Sequence, residues 1–106
     1  AYDELLADCV ATPKRGVGEV SAFAQYTIRS PRRDAIAQAC AARQIPTMIY
    51  YPRALTQQTA YRDYPVAPGG APVAEELAGT VLSLPMHPYL EESQIAAIAA
   101  AVREAA

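Results

Sequence analysis

The chain has 106 residues, the length of one ordinary domain, and 52% of them are hydrophobic against 19% charged, a composition that excludes a disordered polypeptide. Its formal net charge is -2, from 9 Lys and Arg against 11 Asp and Glu, so it lacks the basic surface of a general nucleic-acid binder. No apolar run reaches the roughly 18 residues of a membrane span, so we expect neither a nucleic acid nor a membrane as partner.

The first ten residues have the period of an α-helix, with apolar side chains three and four positions apart. This stripe comprises Tyr2, Leu5, Leu6, Cys9 and Val10. The pattern begins without a capping residue, which indicates the end of a longer helix, so we expect the chain to be a piece of a larger protein. Pro13, Gly16 and Gly18 then interrupt the helical pattern.

A strand and a second helix are predicted next. From Ala22 to Arg29 the chain alternates, with Gln25, Thr27 and Arg29 on the polar face, as in a half-buried strand. The helix is predicted to begin with Ser30 as N-cap and Pro31 at the first helical position. Its inner face comprises Ile36, Ala39 and Cys40.

A second strand is predicted over Thr47–Tyr51, a β-rich run closed by Pro52. Residues 53–72 then form a long connection punctuated by proline and glycine, which is typical of a binding loop. A short helix is predicted within this connection, near Thr56–Arg62.

The last part of the chain is predicted to be a helix over Val73–Leu82, a short extended piece at Ser83–Met86 and a helix from about Glu91 to Glu104. The order of elements predicts an α+β fold. We expect one domain over residues 1–106, with a small, about three-stranded antiparallel sheet and helices packed on one of its faces.

The chain carries little catalytic equipment of its own. It has one lysine, Lys14, and one histidine, His87, and neither a glycine-rich phosphate loop nor a nucleophile elbow. The spacing of Cys9, Cys40 and His87 does not match a zinc site. Both cysteines are predicted to be reduced thiols in the core, which fits a cytoplasmic location.

Tyr50, Tyr51 and Arg53 are candidate binding residues because a predicted strand ends there and opens into the long connection. Consecutive strand residues point to opposite faces, so one tyrosine is predicted to be buried and the other free for a ligand. The alternative is that both tyrosines pack in the sheet. Arg53 is suited to phosphate oxygens, although an ordinary surface arginine fits the pattern equally well.

Two further groups could bind a ligand. Residues 56–58 (TQQ) and 61–64 (YRDY) carry neutral hydrogen-bonding groups that suit a hydroxyl-rich ligand, although a solvated helix face has the same composition. His87 lies between Pro85 and Pro88, and such rigid presentation is typical of a binding site. A structural role is the more frequent one for a lone histidine.

Six sequence motifs, taken in order along the chain, carry a resemblance to one protein family. They are AQYTIR at residues 24–29, IPT at 45–47, YYP at 50–52, AYR at 60–62, VAEELA at 73–78 and VLSLPMHPYL at 81–90. Together they resemble the C-terminal, small domain of DegT-type nucleotide-sugar aminotransferases, over nearly the whole chain. Residues 2–6 resemble the end of the helix that links the two domains of that family.

The resemblance implies a pyridoxal-phosphate (PLP) enzyme of the aspartate-aminotransferase fold type. Such enzymes move an amino group, usually from glutamate, onto a keto-sugar carried on a nucleotide diphosphate. In this family the Schiff-base lysine belongs to a large N-terminal domain, and the whole enzyme is a homodimer. No family motif surrounds Lys14, so the resemblance implies that the catalytic lysine lies outside this chain and that the chain alone is inactive and binds no PLP.

By the same resemblance, Tyr50 and Tyr51 match a pair that contacts substrate at the edge of the active site, and Gln58 matches the family stretch that follows. Thr56 replaces a histidine common in the family, which points to a different sugar. Gln44 replaces a glycine, so the preceding helix is expected to end without its usual left-handed glycine. The candidate substrate-binding residues are Tyr50, Tyr51, Arg53, Gln58 and His87, with no catalytic and no metal-binding residue expected.

Two other functions remain as alternatives. The first is a free-standing small-molecule-binding or regulatory module of similar α+β shape, which would begin with a capped helix or a tail. The second is an RNA-binding sheet that uses Tyr26 and Tyr50 as stacking platforms, for which the sequence lacks basic flanks.

Overall fold

The structure is a computed structural model that describes residues 2–22, 24–61 and 63–106. Its elements are α1 (Tyr2–Leu6), β1 (Tyr26–Arg29), α2 (Arg33–Ala42), a 3-10 turn (Leu55–Gln57), α3 (Pro72–Thr80), β2 (Val81–Leu84) and α4 (Glu92–Ala105). Ala1, Phe23 and Arg62 lie outside the described residues, although the predicted first helix, first strand and short loop helix include them. No helix in the described ranges has the length and apolarity to cross a membrane.

The sheet pairs β1 with β2 in antiparallel register, with Tyr26 opposite Leu84 and Ile28 opposite Leu82. Thr27 and Ser83 face each other across the strands, and their hydroxyl oxygens lie 2.8 Å apart in a hydrogen bond. This bond satisfies the buried Ser83 side chain. The predicted α+β fold class with a small antiparallel sheet is therefore confirmed.

The sheet has two strands, β1 and β2, and the second predicted strand, Thr47–Tyr51, forms only a single bridge. Met48 exchanges two backbone hydrogen bonds with Ser83, at 3.1 and 2.7 Å. The pairing stays this short because Pro46 and Pro52 flank the run, and a proline has no N–H to donate to a ladder. On the opposite edge, Ala11 bridges Arg29 in the same way.

Several predicted boundaries are wrong. α1 ends at Leu6, although the helical pattern was predicted over the first ten residues. β1 begins at Tyr26 and not at Ala22, and α2 begins at Arg33, two residues after the predicted start at Pro31. The Ser30 hydroxyl accepts the Arg32 N–H at 3.0 Å in a turn before the helix, and Arg32 is the N-cap of α2. α3 ends at Thr80, so Val81 belongs to β2 and not to the helical stripe.

The core lies between the sheet and helices α1, α2 and α4. Its most deeply buried large side chains are Leu6, Ile28, Ile36, Cys40, Leu82 and Val102. The alternation predicted for β1 is confirmed at Tyr26 and Ile28, which are buried, while Arg29 is exposed. Of the two cysteines, Cys40 is buried and Cys9 half-buried, and both are free thiols.

The end of α2 confirms the expectation about Gln44, which adopts the left-handed conformation with φ 59°. The Ile45 N–H donates to the Cys40 carbonyl at 2.9 Å, and the Gln44 N–H donates to the Ala41 carbonyl at 3.0 Å. This is the hydrogen-bond pattern of a Schellman motif, which normally uses glycine at this position. The motif directs Ile45 back toward the core, where it packs.

Two buried tyrosines join α1 to the rest of the core. The Tyr2 and Tyr26 rings lie 4.8 Å apart between centroids, and each is 3% exposed. The Tyr2 hydroxyl donates to the Pro85 carbonyl at 2.8 Å, and the Tyr26 hydroxyl donates to the Asp3 carboxylate. Burial raises the pKa of Tyr2 to about 12, and burial together with the Asp3 carboxylate raises the pKa of Tyr26.

We therefore expect the chain to lose stability at alkaline pH. The unfolded state ionises Tyr2 near its ordinary pKa of 10.0, whereas the folded state holds the proton to about 12. The contribution is fully present below pH 10.0 and is lost as the pH rises through about 12. The measurement is a tyrosinate absorbance titration of the chain and of Tyr2→Phe, whose difference curve isolates the Tyr2 phenol. A Tyr89→Phe control removes a phenol that is 85% exposed. A difference curve centred at 10.0 contradicts the prediction.

Candidate functional site

A cavity of about 590 Å³ lies where the long connection meets α3 and the start of β2. Its volume falls in the usual range of small-molecule sites, roughly 300–1,000 Å³. We call it the tyrosine cavity. It is lined by Tyr50, Tyr51, Arg53, Ala54, Leu55, Gln58, Ala74, Leu77, Ala78 and Val81. The structure thus brings four of the five predicted substrate-binding residues together.

The inner wall of the tyrosine cavity is held in place by Arg33, at the start of α2. Its Nη1 atom donates to the carbonyl oxygens of Ala78 and Val81, each at 3.1 Å. The Ser30 N–H donates to the Thr80 carbonyl at 2.9 Å. The Arg33 side chain is only 11% exposed, so these bonds are largely shielded from water. They fix the junction of α3 and β2 against α2, and this wall is therefore part of the rigid fold.

Tyr50 and Tyr51 both lie outside the core, with 43% and 71% of each residue exposed. Their rings are perpendicular, with centroids 6.2 Å apart, and the peptide bond that joins them is cis. The prediction that one of them is buried is wrong, because the backbone leaves the sheet after Met48 and strand alternation does not apply. Each offers the cavity a phenol hydroxyl and an aromatic face, which suit a ligand with hydroxyl groups and apolar ring surfaces.

Arg53 gives the tyrosine cavity its positive charge. No carboxylate lines the cavity, and Arg53 forms no ion pair within residues 2–22, 24–61 and 63–106. Its planar guanidinium presents donors in the fork geometry that matches phosphate or carboxylate oxygens. Beside it, Gln58 Nε2 donates to the Arg53 carbonyl at 3.5 Å, so the amide carbonyl of Gln58 is the group free to accept from a ligand.

Two other polar residues of the predicted loop cluster, Thr56 and Gln57, bond within the protein. The Thr56 hydroxyl donates to Glu75 Oε1 of α3 at 2.7 Å. The Gln57 Oε1 atom accepts the Ala54 N–H at 2.9 Å, which stabilises the start of the 3-10 turn. The predicted short helix is this one turn, Leu55–Gln57, and the part of the prediction that falls on Arg62 lies outside the described residues.

His87 lies apart from the tyrosine cavity, in a second cavity of about 300 Å³. Its neighbours there include Gln44, Leu90 and Gln94. The Nδ1 atom of His87 accepts the Tyr89 N–H at 3.2 Å, so the neutral ring carries its proton on Nε2. A third cavity of about 230 Å³ separates the two and shares Tyr50 with the first. The structure therefore does not bring His87 together with the other four candidates.

The RNA-binding alternative requires both Tyr26 and Tyr50 as stacking platforms, and the structure excludes Tyr26. Tyr26 is 3% exposed and its ring packs on Tyr2, so no base can stack on it. Tyr50 alone is accessible.

The tyrosine cavity also has lining residues that the sequence did not reveal. Leu77 and Val81 both fall within the helix predicted over Val73–Leu82, and nothing in the sequence marks them as cavity residues. The helical period shows that two residues lie on the same face of a helix, but it does not show which part of the protein that face contacts. Only the approach of the long connection to α3 gives them a place at the cavity.

The chemistry that this arrangement supports is binding and orientation. The lining of the tyrosine cavity contains two phenols, one guanidinium and one amide, with apolar walls, and it includes no carboxylate, thiol, imidazole or amine. Lys14 is exposed in the stretch between α1 and β1. Among the described residues, no group of three His, Cys, Asp or Glu side chains is placed to hold a metal ion.

Comparisons with known proteins agree on one family. A family model described as the DegT/DnrJ/EryC1/StrS aminotransferase family matches residues 1–103. A pleiotropic regulatory protein from Geobacillus stearothermophilus is 41% identical over 92 residues, which are 87% of this chain and 25% of that protein. A UDP-2-acetamido-2-deoxy-3-oxo-D-glucuronate aminotransferase from Pseudomonas aeruginosa is 38% identical over 93 residues, 88% of this chain and 25% of that enzyme.

A solved structure has the same fold. The crystal structure of a DegT DnrJ EryC1 StrS aminotransferase from Brucella abortus superposes with a TM-score of 0.90 at 48% sequence identity. The match covers 97% of this chain and 28% of that one. The chain thus spans about a quarter of the length of the relatives it matches.

Proposed function

The chain belongs to the DegT/DnrJ/EryC1/StrS aminotransferase family, and we propose that it is the C-terminal domain of an enzyme that aminates a nucleotide-linked keto-sugar. The observation that carries the proposal is the tyrosine cavity, which combines the Arg53 guanidinium with two phenols and an amide. These groups match the two halves of a nucleotide sugar, an anionic diphosphate and a hydroxyl-bearing ring. A relative with 38% identity is named for a UDP-linked 3-oxo sugar.

In this proposal each side chain of the tyrosine cavity has a binding role. The Arg53 fork binds diphosphate oxygens, and the Tyr51 face and the phenols of both tyrosines contact the sugar. Gln58 accepts a hydrogen bond from a sugar hydroxyl through its amide oxygen. His87 binds substrate only if the ligand extends past Tyr50 toward the second cavity. All of these contacts orient the ketone.

The residues of this chain do not fit PLP. PLP supplies the electron sink of transamination and requires a lysine for its Schiff base. Lys14, the one lysine, is exposed and does not line the tyrosine cavity. We therefore propose that the cofactor and its lysine belong to a large N-terminal domain outside this chain, and that this domain alone is inactive.

The exposed apolar side chains around the cavity are consistent with a surface that another domain covers. Tyr51 and Leu55, which line the cavity, and Tyr64 and Val73 in the neighbouring segments are each 64% or more exposed. We propose that the large domain covers them and that the whole enzyme is a cytoplasmic homodimer, with glutamate as amino donor. The covered cavity would then exclude water from the bound sugar.

One observation favours a second candidate function. The relative from Geobacillus stearothermophilus is named a pleiotropic regulatory protein and is 41% identical. A domain that binds a nucleotide sugar and regulates a partner would use the same cavity without transamination. The two candidates differ in whether the bound sugar is changed.

The test is an amination assay on the whole protein that contains this chain. With PLP and a UDP-linked 3-oxo sugar, we expect glutamate to become 2-oxoglutarate as the sugar ketone becomes an amine. The 106-residue chain with the same additions should form no 2-oxoglutarate. Turnover by the chain alone contradicts the proposal, and binding of the sugar by the whole protein without amination favours the regulatory alternative.

A further inference from the structure

The outer wall of the tyrosine cavity is attached far more weakly than the inner wall. It is formed by the connecting segment, residues 50–70, whose members Leu55 and Tyr51 are 66% and 71% exposed. Burial therefore contributes little to holding these residues in position. The placement of Arg53 and Gln58, which lie in this segment, must depend on other contacts.

Hydrogen bonds within the connecting segment are local. The N–H groups of Gln57, Gln58 and Tyr61 each donate to a carbonyl three residues earlier. The side chains of Gln57 and Gln58 also bond inside the segment, to Ala54 and Arg53. These bonds define the shape of the turn but not its position relative to α3.

One hydrogen bond joins this segment to the rest of the protein within the described ranges 2–22, 24–61 and 63–106. It is the bond from the Thr56 hydroxyl to Glu75 Oε1, at 2.7 Å. Glu75 lies in the first turn of α3, whose inner residues Ala74, Leu77 and Ala78 line the opposite wall. The bond therefore spans the two walls of the tyrosine cavity.

We propose that the Thr56–Glu75 pair is a positioning latch, which holds the 3-10 turn against α3 so that Arg53 and Gln58 present their polar groups to the ligand. The latch rests on the proposed function only for the identity of that ligand. An O–H donor with a carboxylate acceptor forms a charge-assisted bond, which is stronger than a neutral one. Thr56 and Glu75 touch no substrate in this proposal and act through Arg53 and Gln58.

The first test is hydrogen exchange on the whole protein, which needs no substrate. In Thr56→Val the hydroxyl is lost at nearly constant volume, and we expect the amides of residues 57, 58 and 61 to exchange about three to ten times faster. Thr56→Ser keeps the hydroxyl and should restore slow exchange. Unchanged exchange in Thr56→Val overturns the latch, whether or not the protein is an aminotransferase.

The second test is steady-state kinetics with a nucleotide keto-sugar. Thr56→Val should raise KM about three- to tenfold with kcat within about twofold, because binding is weakened and the reacting groups lie elsewhere. Glu75→Ala should raise KM to the same extent. The KM of the double variant should be no higher than that of either single variant. Glu76→Ala, an exposed neighbour in the same helix, is the control and should leave KM unchanged.

The two tests separate the two hypotheses. If the wild-type protein does not aminate any nucleotide keto-sugar, the proposed function fails, and the exchange experiment still decides the latch. If it is active and Thr56→Val changes neither KM nor kcat, the latch is overturned and the proposed function stands. Additive effects of Thr56→Val and Glu75→Ala on KM also overturn the latch, because residues that act through one shared bond do not have independent effects.

Discussion

Leu6→Ala is expected to lower the free energy of unfolding by about 2–5 kcal/mol, measured by urea unfolding of the 106-residue chain with circular dichroism. Leu6 is fully buried, and α1 packs on α4. Removing three carbons leaves a cavity between the two helices that the surrounding side chains fill only in part. A loss of this size is a large fraction of the stability of an ordinary small domain.

The chain provides a matched control one residue earlier. Leu5 is the same residue type in the same helix and is 38% exposed, so Leu5→Ala should cost about 1 kcal/mol or less. If Leu6→Ala does not fold, Leu6→Met conserves volume and should cost less than about 1.5 kcal/mol. Equal losses for Leu5→Ala and Leu6→Ala would show that α1 does not pack as described.

Arg53→Ala, made in the whole protein, is expected to raise KM for the nucleotide keto-sugar about 10- to 100-fold. The reason is the loss of a charge-assisted fork to the diphosphate oxygens, for which the tyrosine cavity has no second cation. Arg53→Lys keeps the charge but not the fork and should recover only part of the affinity. The same change should appear as a weaker Kd for the corresponding nucleoside diphosphate in calorimetry.

The matched control for Arg53 is Arg43, an exposed arginine at the end of α2 that pairs with Glu104. Arg43→Ala removes the same charge from the protein but lies outside the tyrosine cavity, so KM should stay within about twofold. An unchanged KM in Arg53→Ala removes Arg53 from the substrate site. An equal rise in both variants would show that the effect comes from net charge alone.

The fold was predicted well wherever the pattern is local. The burial of Tyr2 and Leu6 follows from a helical period, although Leu5 of the same stripe is 38% exposed, and the burial of Tyr26 and Ile28 follows from strand alternation. The resemblance also drew attention to Gln44, which takes the left-handed position just after α2 in a motif that involves only neighbouring residues. Each of these features depends on backbone geometry over a few residues, and a single sequence contains that information.

Two of the errors fall where a long-range contact decides. Val81 fits the helical stripe of α3, but the pairing of residues 81–84 with β1 ends the helix at Thr80. The run after Pro46 has strand composition, but Met48 alone finds a partner in Ser83. Propensity is a weak prior, and partners elsewhere in the chain override it.

The candidate site shows the same division. The residue types at Tyr50, Tyr51, Arg53 and Gln58 are visible in the sequence, and so is their common origin in one loop. Their meeting in one cavity, the outward position of both tyrosines and the separation of His87 are not. A cavity is the space between segments distant along the chain, so its lining depends on tertiary packing.

The sequence by itself therefore determined the α+β class, the apolar faces of the helices and of β1, and the family, because these depend on local periods and ordered motifs. Tertiary structure alone decided the number of strands, the lining of the tyrosine cavity and the pairing of Thr56 with Glu75, residues 19 positions apart in the chain. The physical reason is that a period fixes which side chains share a face, whereas only packing fixes what that face meets.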